Sequence, residues 1–370
     1  MLSEKQHHRY IRQLNLPDFG VTRQQRLLKS RVVIVGAGGL GCPIALYLAA
    51  AGVGSLVVVD DDSVTLSNLH RQIAYSCAEI GLPKSEQLVQ ALERLDSELD
   101  FTAVVANLSE CNYETLLAGA NLVIDGTDNF ASRFLLADAC HFLKISYLQT
   151  AVFQYSAQIM LCTPGFSPCY RCVFEAPPKV DELQPCSQAG VLGSAVGTAG
   201  TIAATEAIKF LSGMQSAVLG KMLIYDGIDQ AIRHVELSFD DKCRLCGNEA
   251  SIKTVERYPK ICLNEVAGEK NEKSEKNELS VEEANLLISQ GATLIDVRET
   301  NEFRLNHLAG AISVPHSKIE EKLDELQNLK TPVLLYCQQG KRSQLFLQRL
   351  EAQGFNGFFA LRGGLQAWYG

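Results

Sequence analysis

One stretch limits what this chain can fold into more than any other. Residues Arg31 to Gly41 read RVVIVGAGGLG, four apolar β-branched residues running into G-x-G-x-x-G. An Ala-rich, helix-forming segment follows from about Pro43 to Ala51. The pattern predicts strand, tight glycine turn, helix. Gly36 lets the chain turn, Gly38 lets backbone approach a phosphate, and Gly41 lets helix and strand pack closely. With Gly39 they form a candidate nucleotide-binding turn at a helix N-terminus, where unpaired N–H groups favour an anion. NAD is the usual expectation for such a turn. A ligand-free glycine turn is the plainer alternative.

The chain around this turn repeats the same alternation. Residues 3–14 read as a helix. Ser55 to Asp60 is a second apolar strand, and a helix runs from Lys84 to about Leu95. Strands are predicted near 101–105 and 121–125, and a helix up to about Phe142. Alternating strands and helices imply an α/β fold with a mostly parallel sheet, ligands sitting beyond the C-terminal strand ends. One or two strands are expected in 145–162, a long loop in 163–193, a small-residue helix in 194–212 and a hairpin in 221–239. Residues 265–279, EVAGEKNEKSEKNEL, have mixed charge and too few apolar residues to bury a core, and read as a linker. Residues 280–370 open a fresh α/β pattern, with strands near 293–297, 311–314, 333–336 and 357–361. The domain reading is 1–264, linker 265–279, and 280–370.

Charge and cysteine content narrow the function classes. The formal net charge of −8 does not suit a general nucleic-acid or membrane-surface binder. No apolar run reaches membrane-spanning length, and the polar start, Met1 to Tyr10, does not read as a secretory signal. Twelve cysteines in such a chain point to metal or thiol chemistry in a reducing compartment, so a cytoplasmic location is expected.

Four constellations carry chemistry. Cys169-x-x-Cys172 and Cys243-x-x-Cys246 supply the two thiolate pairs of a closed, structural four-sulfur zinc site, with Arg171 and Arg244 placed to offset thiolate charge. Two idle or redox cysteine pairs are the alternative. Cys337 opens CQQGKRS between an apolar strand and a helix, where a nest of N–H groups with Lys341 and Arg342 stabilises a thiolate or persulfide. Around the glycine turn, Asp60 stands where an acidic residue usually holds a ribose hydroxyl. Arg12, Arg71 and Lys84 are cations for phosphates, and Asp128 is a candidate Mg²⁺ ligand. No G-K-[ST] follows the turn, so it is not a P-loop. Cys186, in QPCSQAGVLG, is either a mobile nucleophile or an incidental loop cysteine.

With these residues in place the chain resembles a known family. R-Y-x-R-Q (Arg9–Gln13), GAGGLG, SNLHRQ (Ser67–Gln72), G-x-x-K (Gly81–Lys84), DGTDN (Asp125–Asn129) and the two C-x-x-C pairs resemble the MoeB/ThiF adenylyltransferases that activate ubiquitin-like proteins. Residues 280–370 resemble a rhodanese domain through Asp296-Val297-Arg298-Glu299, Glu302-Phe303, His307-x-x-Gly310, Cys337-x-x-Gly340-x-Arg342-Ser343 and Gly363-Gly364-x-x-Ala367-Trp368. The resemblance implies a Rossmann-like doubly wound ATP-binding domain followed by a small α/β rhodanese domain. ATP with Mg²⁺ would bind at the glycine turn, with Asp60 on the ribose, Asn68, Arg71 and Lys84 on the phosphates, and Asp128 and Asn129 at the metal end. Arg12 would reach into the neighbouring subunit of a homodimer. The substrate would be a small sulfur-carrier protein ending in Gly-Gly. Cys337 would bring sulfur as a persulfide from a donor such as a cysteine desulfurase, with Cys186 an acyl-accepting thiol. The alternatives are an NAD-dependent oxidoreductase fused to a sulfurtransferase, an enzyme activating a ubiquitin-like modifier for conjugation, and a scaffold with an inactive first half.

Overall fold

The computed structural model describes residues 2–177, 190–255, 277–318, 322–330 and 332–369. They fall into two compact units, Met1–Ile261 and Cys262–Gly370.

Two helices open the first unit, α1 (Glu4–Leu14) and α2 (Gly20–Lys29). A Ser3–Gln6 capping box starts α1. The sequence reading did not include α2. Its N-cap is Phe19, which makes no side-chain cap, so the usual start signal is missing. An alternating run follows: β1 (Arg31–Val35), α3 (Gly41–Ala51), β2 (Ser55–Val59), α4 (Lys84–Leu95), β3 (Asp100–Val104), α5 (Tyr113–Leu117), β4 (Leu122–Asp125), α6 (Phe130–Leu143) and β5 (Ser146–Phe153). Then come β6 (Ser156–Cys162), α7 (Tyr170–Val173), α8 (Gly193–Ser212), β7 (Lys221–Asp226) and β8 (Ala231–Glu236). The short α7 lies inside the stretch read as loop.

These strands form one eight-stranded sheet in the order β3-β2-β1-β4-β5-β6-β7-β8. The first five run parallel, and β6, β7 and β8 add antiparallel partners at one edge. Strand β1 explains its own sequence. Val32 and Ile34 pack in one core cluster with Leu48 and Ala203, while Val33 and Val35 pack in another with Phe134 and Leu136. A central strand covered on both faces must be apolar at every position. The small residues of α8 let it lie against α3: a Cβ at Gly200 would stand 2.5 Å from Pro43 Cγ. Strand order reverses between β1 and β4, so a crevice opens at their C-terminal ends, where Gly36 and Gly126 stand.

The second unit is a five-stranded parallel sheet in the order β11-β10-β12-β13-β9. Its elements are β9 (Glu278–Leu279), α9 (Val281–Ser289), β10 (Thr293–Asp296), α10 (Thr300–Leu305), β11 (Ile312–Ser313), α11 (Leu323–Gln327), β12 (Val333–Tyr336), α12 (Lys341–Ala352), β13 (Phe358–Leu361) and α13 (Gly364–Tyr369). Glu278 and Leu279 pair with Ala360 and Leu361, so the sheet begins inside the stretch read as linker. Two residues are too short a run for hydrophobic alternation to reveal. The core lies on both faces of β12, with Leu335 and Phe346 on one side and Leu334 and Leu365 on the other. Among the described residues no helix is long and apolar enough to cross a membrane.

Candidate active site and metal centre

The glycine turn is a backbone-on-backbone contact. Gly36 has φ +98°, and a Cβ there would lie 2.7 Å from the Gly126 carbonyl carbon. A Cβ on Gly41 would lie 1.9 Å from the Gly36 oxygen. The turn after β1 and the turn after β4 thus fit only without side chains. Gly38 is different: the nearest atom to its Cβ position is Gln72 Nε2 at 3.8 Å. Asp60 braces this arrangement. Its Oδ2 accepts from Ala37 N at 2.7 Å and its Oδ1 from Asp62 N at 2.8 Å. Burial raises its pKa against these hydrogen bonds.

The cations expected to hold phosphates divide into two groups. Arg71 lies over the turn, its Cγ 3.3 Å from where a Gly39 Cβ would be, and its Nη1 meets His70 Nε2 at 2.8 Å and Ser67 O at 3.3 Å. Asn68 precedes it in a single 3-10 turn and accepts the Arg71 and Gln72 amides at 3.0 Å. Lys84 starts α4, buried at 5 % exposure, with Nζ 2.7 Å from Asp62. Arg12 does not join them. It is exposed in the last turn of α1, and the next residue, Gln13, donates to Ala51 O at the C-terminal end of α3. The glycine turn is at the other end of α3, about 15 Å away along the axis. An Arg12 converging on its own chain's turn is therefore corrected; the expectation that remains is a role in a neighbouring subunit.

Asp128 is exposed and makes no ion pair or side-chain hydrogen bond among the described residues. The residue holding its loop is Asp125, fully buried at the end of β4. Its Oδ1 accepts from Thr127 N at 2.9 Å and Thr127 Oγ1 at 2.6 Å, and its Oδ2 from Tyr147 at 2.8 Å. Thr150 Oγ1 donates to the Asp125 carbonyl. Arg133 stands 3.8 Å away and offsets the burial that raises the Asp125 pKa. Asn129 caps α6, accepting from Ser132 N at 2.8 Å, so its side-chain oxygen already has a structural task.

The four cysteines do come together. All four sulfurs lie within 4.8 Å of one another. Cys169 is 3.8 Å from Cys172 and 3.5 Å from Cys243, and Cys172 is 3.4 Å from Cys246. Tetrahedral Zn–S bonds of about 2.3 Å would set neighbouring sulfurs about 3.8 Å apart, so this donor set is compatible with zinc. Hydrogen bonds among the thiols push Cys169 up and Cys172 down. Arg171 is not spent on the thiolates. Its Nε and Nη2 hold Asp138 at 2.7 and 2.9 Å, with both side chains nearly inaccessible. Arg244 donates to Ser251 Oγ at 3.3 Å. The charge-offset reading of these arginines is corrected accordingly. Removing one partner of a buried pair like Arg171–Asp138 costs about 3–5 kcal/mol, because the other charge stays behind.

In the second unit Cys337 follows β12 and is 1 % exposed. Ser343 Oγ donates towards its sulfur at 3.7 Å and to Gly340 O at 2.8 Å. Gly340 has φ +84°, and a Cβ there would lie 2.7 Å from Gly363 N. The loop therefore curls under Gly363 and presents the first turn of α12, whose leading N–H groups have no helical acceptor. Two bidentate carboxylate pairs flank it. Arg342 meets both oxygens of Glu302 at 2.6 Å, and Arg298 holds Asp296 while its Nη1 also reaches Gln338 at 3.1 Å. Burial raises the Glu302 carboxyl, but Arg342 outweighs it and the net shift is down. Cys186 lies outside the described residues.

The ThiF family pattern matches residues 10–245, well over half of the chain. The chain belongs to the ThiF family. A rhodanese-like domain pattern matches residues 280–370. Among curated relatives, the Zea mays adenylyltransferase and sulfurtransferase MOCS3-1 is 36 % identical across 98 % of this chain and 81 % of its own length. The Drosophila sechellia adenylyltransferase and sulfurtransferase MOCS3 is 38 % identical across 97 % of this chain and 82 % of its own. A crystal structure of E. coli MccB superposes with a TM-score of 0.59 at 22 % identity, covering 67 % of this chain and 75 % of that one, which shows a shared fold. The Rossmann-like and rhodanese readings of the two halves thus hold.

Within this ThiF-family chain, some site residues escaped the sequence reading. Gln72 is 3 % exposed above Gly38, and its Oε1 has no partner among the described residues. Asp62 holds Lys84, and Asp125 holds the Asp128 loop. Gln72 and Asp125 lay within motifs already quoted, which was the available signal, while Asp62 stands two residues past Asp60 and outside them. Arg133 and Tyr147 carried none: one is a helix residue and the other a strand residue, and only packing brings them to Asp125.

Proposed function

We propose that this chain is an ATP-dependent adenylyltransferase and sulfurtransferase acting on a small ubiquitin-like sulfur carrier that ends in Gly-Gly. The observation that carries the reading is the presence on one chain of two different stations. One is a glycine turn at a topological switch point, flanked by Arg71, Lys84 and Asp128; the other is Cys337 at a helix-capping nest. ThiF-family membership and the relatives' names support it and leave the NAD-dependent oxidoreductase without support.

In the first step the carrier carboxylate oxygen attacks the α-phosphorus of ATP. The α–β P–O bond breaks and pyrophosphate leaves with the electron pair. Arg71 and Lys84 offset charge on the phosphates, and the Gly38 backbone allows their close approach. Lys84 would exchange its exposed partner Asp62 for a phosphate, so that its buried charge stays matched. Mg²⁺, when bound, would sit at Asp128 and neutralise the departing pyrophosphate. Asp60 and Asn129 keep their structural hydrogen bonds and add ribose and metal-end contacts. In the second step a Cys337 persulfide, loaded by a donor such as a cysteine desulfurase, attacks the acyl-adenylate carbonyl and AMP leaves. A thiol then cleaves the acyl disulfide, with Cys186 the candidate, releasing the carrier thiocarboxylate and oxidising the thiol to a disulfide. The four cysteines hold a structural zinc, Arg12 serves a homodimer, and the setting is the cytoplasm.

Pyrophosphate–ATP exchange tests the first station. It should require a Gly-Gly-ended carrier and fall by at least ~10²-fold in Asp128→Ala. Mass spectrometry of the carrier should show oxygen replaced by sulfur, with that gain lost in Cys337→Ala. Exchange that ignores the carrier would end the proposal.

A further inference from the structure

The four-cysteine cluster is tied to the magnesium end of the active site by side chains inside its own knuckle. The two residues between Cys169 and Cys172 both face α6. Arg171 grips Asp138 and lies over Phe134, 4.8 Å from the ring centroid. Tyr170 packs edge-on against Phe134 at 5.1 Å and Tyr147 at 6.3 Å. Tyr147 and Arg133 are the groups that hold Asp125, and Arg133 also donates to Thr127 O at 3.3 Å. Asp125 fixes the Thr127 amide and hydroxyl. Asp128 is the next residue, and Asn129 starts α6. The path from knuckle to Asp128 is therefore continuous, with no step through solvent-exposed side chains until Asp128 itself.

From these contacts we infer that the Cys169–Cys172 knuckle sets the position of Asp128, with Tyr170 and Arg171 as positioning residues. Metal occupancy of the four cysteines and binding of Mg·ATP are then linked. The inference rests on reading the cysteines as a zinc site and Asp128 as the magnesium ligand. A 14-residue helix is a stiff connector, gripped by the knuckle at Phe134 and Asp138 and carrying the Asp128 loop at its start. The Arg171–Asp138 pair excludes water, so it does not slip along α6 in small steps; a knuckle that opens loses it entirely. Linkage of this kind is reciprocal.

Reciprocity supplies a test on the unaltered, zinc-loaded protein. Zinc affinity, measured by equilibrium competition with a chelating dye, should rise about fivefold or more with Mg·ATP, and not with ATP alone. An unchanged zinc affinity overturns the coupling. The second arm is Tyr170→Leu, which removes the ring packed on Phe134 and Tyr147. At unchanged zinc content, the Mg²⁺ concentration that half-saturates ATP binding should rise about threefold, with Mg-free ATP affinity unaltered. A purely structural role would lower the melting temperature and leave that concentration alone, which also overturns the inference. Asp128→Ala separates the premise from the inference. Should it leave the Mg²⁺ dependence of ATP binding intact, the magnesium reading fails and takes the coupling with it. Should it abolish that dependence while the zinc affinity of the unaltered protein ignores Mg·ATP, the coupling alone is wrong.

Discussion

His316 shows how a single side chain in the second unit acquires a pH signature. Its ring lies 6.3 Å from Phe346, and Nε2 has no partner among the described residues. Burial lowers its pKa to about 4, with Arg349 and Arg342 adding to the shift and Glu299 opposing it. The unfolded histidine, near 6.5, binds a proton that the folded one refuses. Between these values the unfolded state holds more protons, so stability falls as pH drops from about 6.5 towards 4. The chain has one tryptophan, Trp368, and it lies in this unit. Denaturant unfolding followed by its emission should show the loss, and His316→Gln should flatten it. A wild-type profile level over that range would contradict the account. Nothing in the sequence marks His316. Its setting comes from α12 folding across it, whereas Cys337, Gly340 and Ser343 are legible because their chemistry depends on neighbours within one loop.

At the scale of one element, the strand-turn-helix of β1 and α3 separates two glycines that look alike in G-x-G-x-x-G. A Cβ on Gly41 would collide with Gly36 O at 1.9 Å, whereas one on Gly38 finds its nearest atom at 3.8 Å. Gly41→Ala should therefore cost about 1–3 kcal/mol or more, from overpacking against backbone that cannot give way. Gly38→Ala should stay within about 0.5 kcal/mol of wild type yet weaken ATP binding, because only the ligand needs that space. Denaturant midpoints and ATP titrations of the two variants check this; equal losses of stability would refute the division of roles. The motif announced both glycines. The motif also assigned Gly38 to the phosphate and Gly41 to packing; what β4 adds is the turn at Gly126, which closes against Gly36. Helix α2 shows the opposite case: without a capping side chain it leaves no local start signal, and its place comes from Leu27 entering the core of the first unit.

At the scale of the whole molecule, the two units carry separate cores, separate sheets and separate chemistries. Chelating the four-cysteine site should unfold the first unit at lower denaturant and leave the Trp368 transition of the second where it was. Far-ultraviolet circular dichroism and Trp368 emission on the same samples would show it, and a shared shift would mean that the units unfold together. Apolar strand runs, the glycine turn, the paired C-x-x-C motifs and the strand-to-helix cysteine were readable along the chain, because each depends on residues within a few positions or on fixed ligand chemistry. The destination of each charge was not. Arg171 looked like a counterion for thiolates and belongs to Asp138; Arg12 looked like part of the phosphate set and stands at the far end of α3. A buried charge must be matched by whichever partner packing supplies, and that partner is here 33 residues away in sequence. The glycine turn declared a nucleotide site from sequence, while the strand order that sets β4 beside β1 decided which side chains surround it.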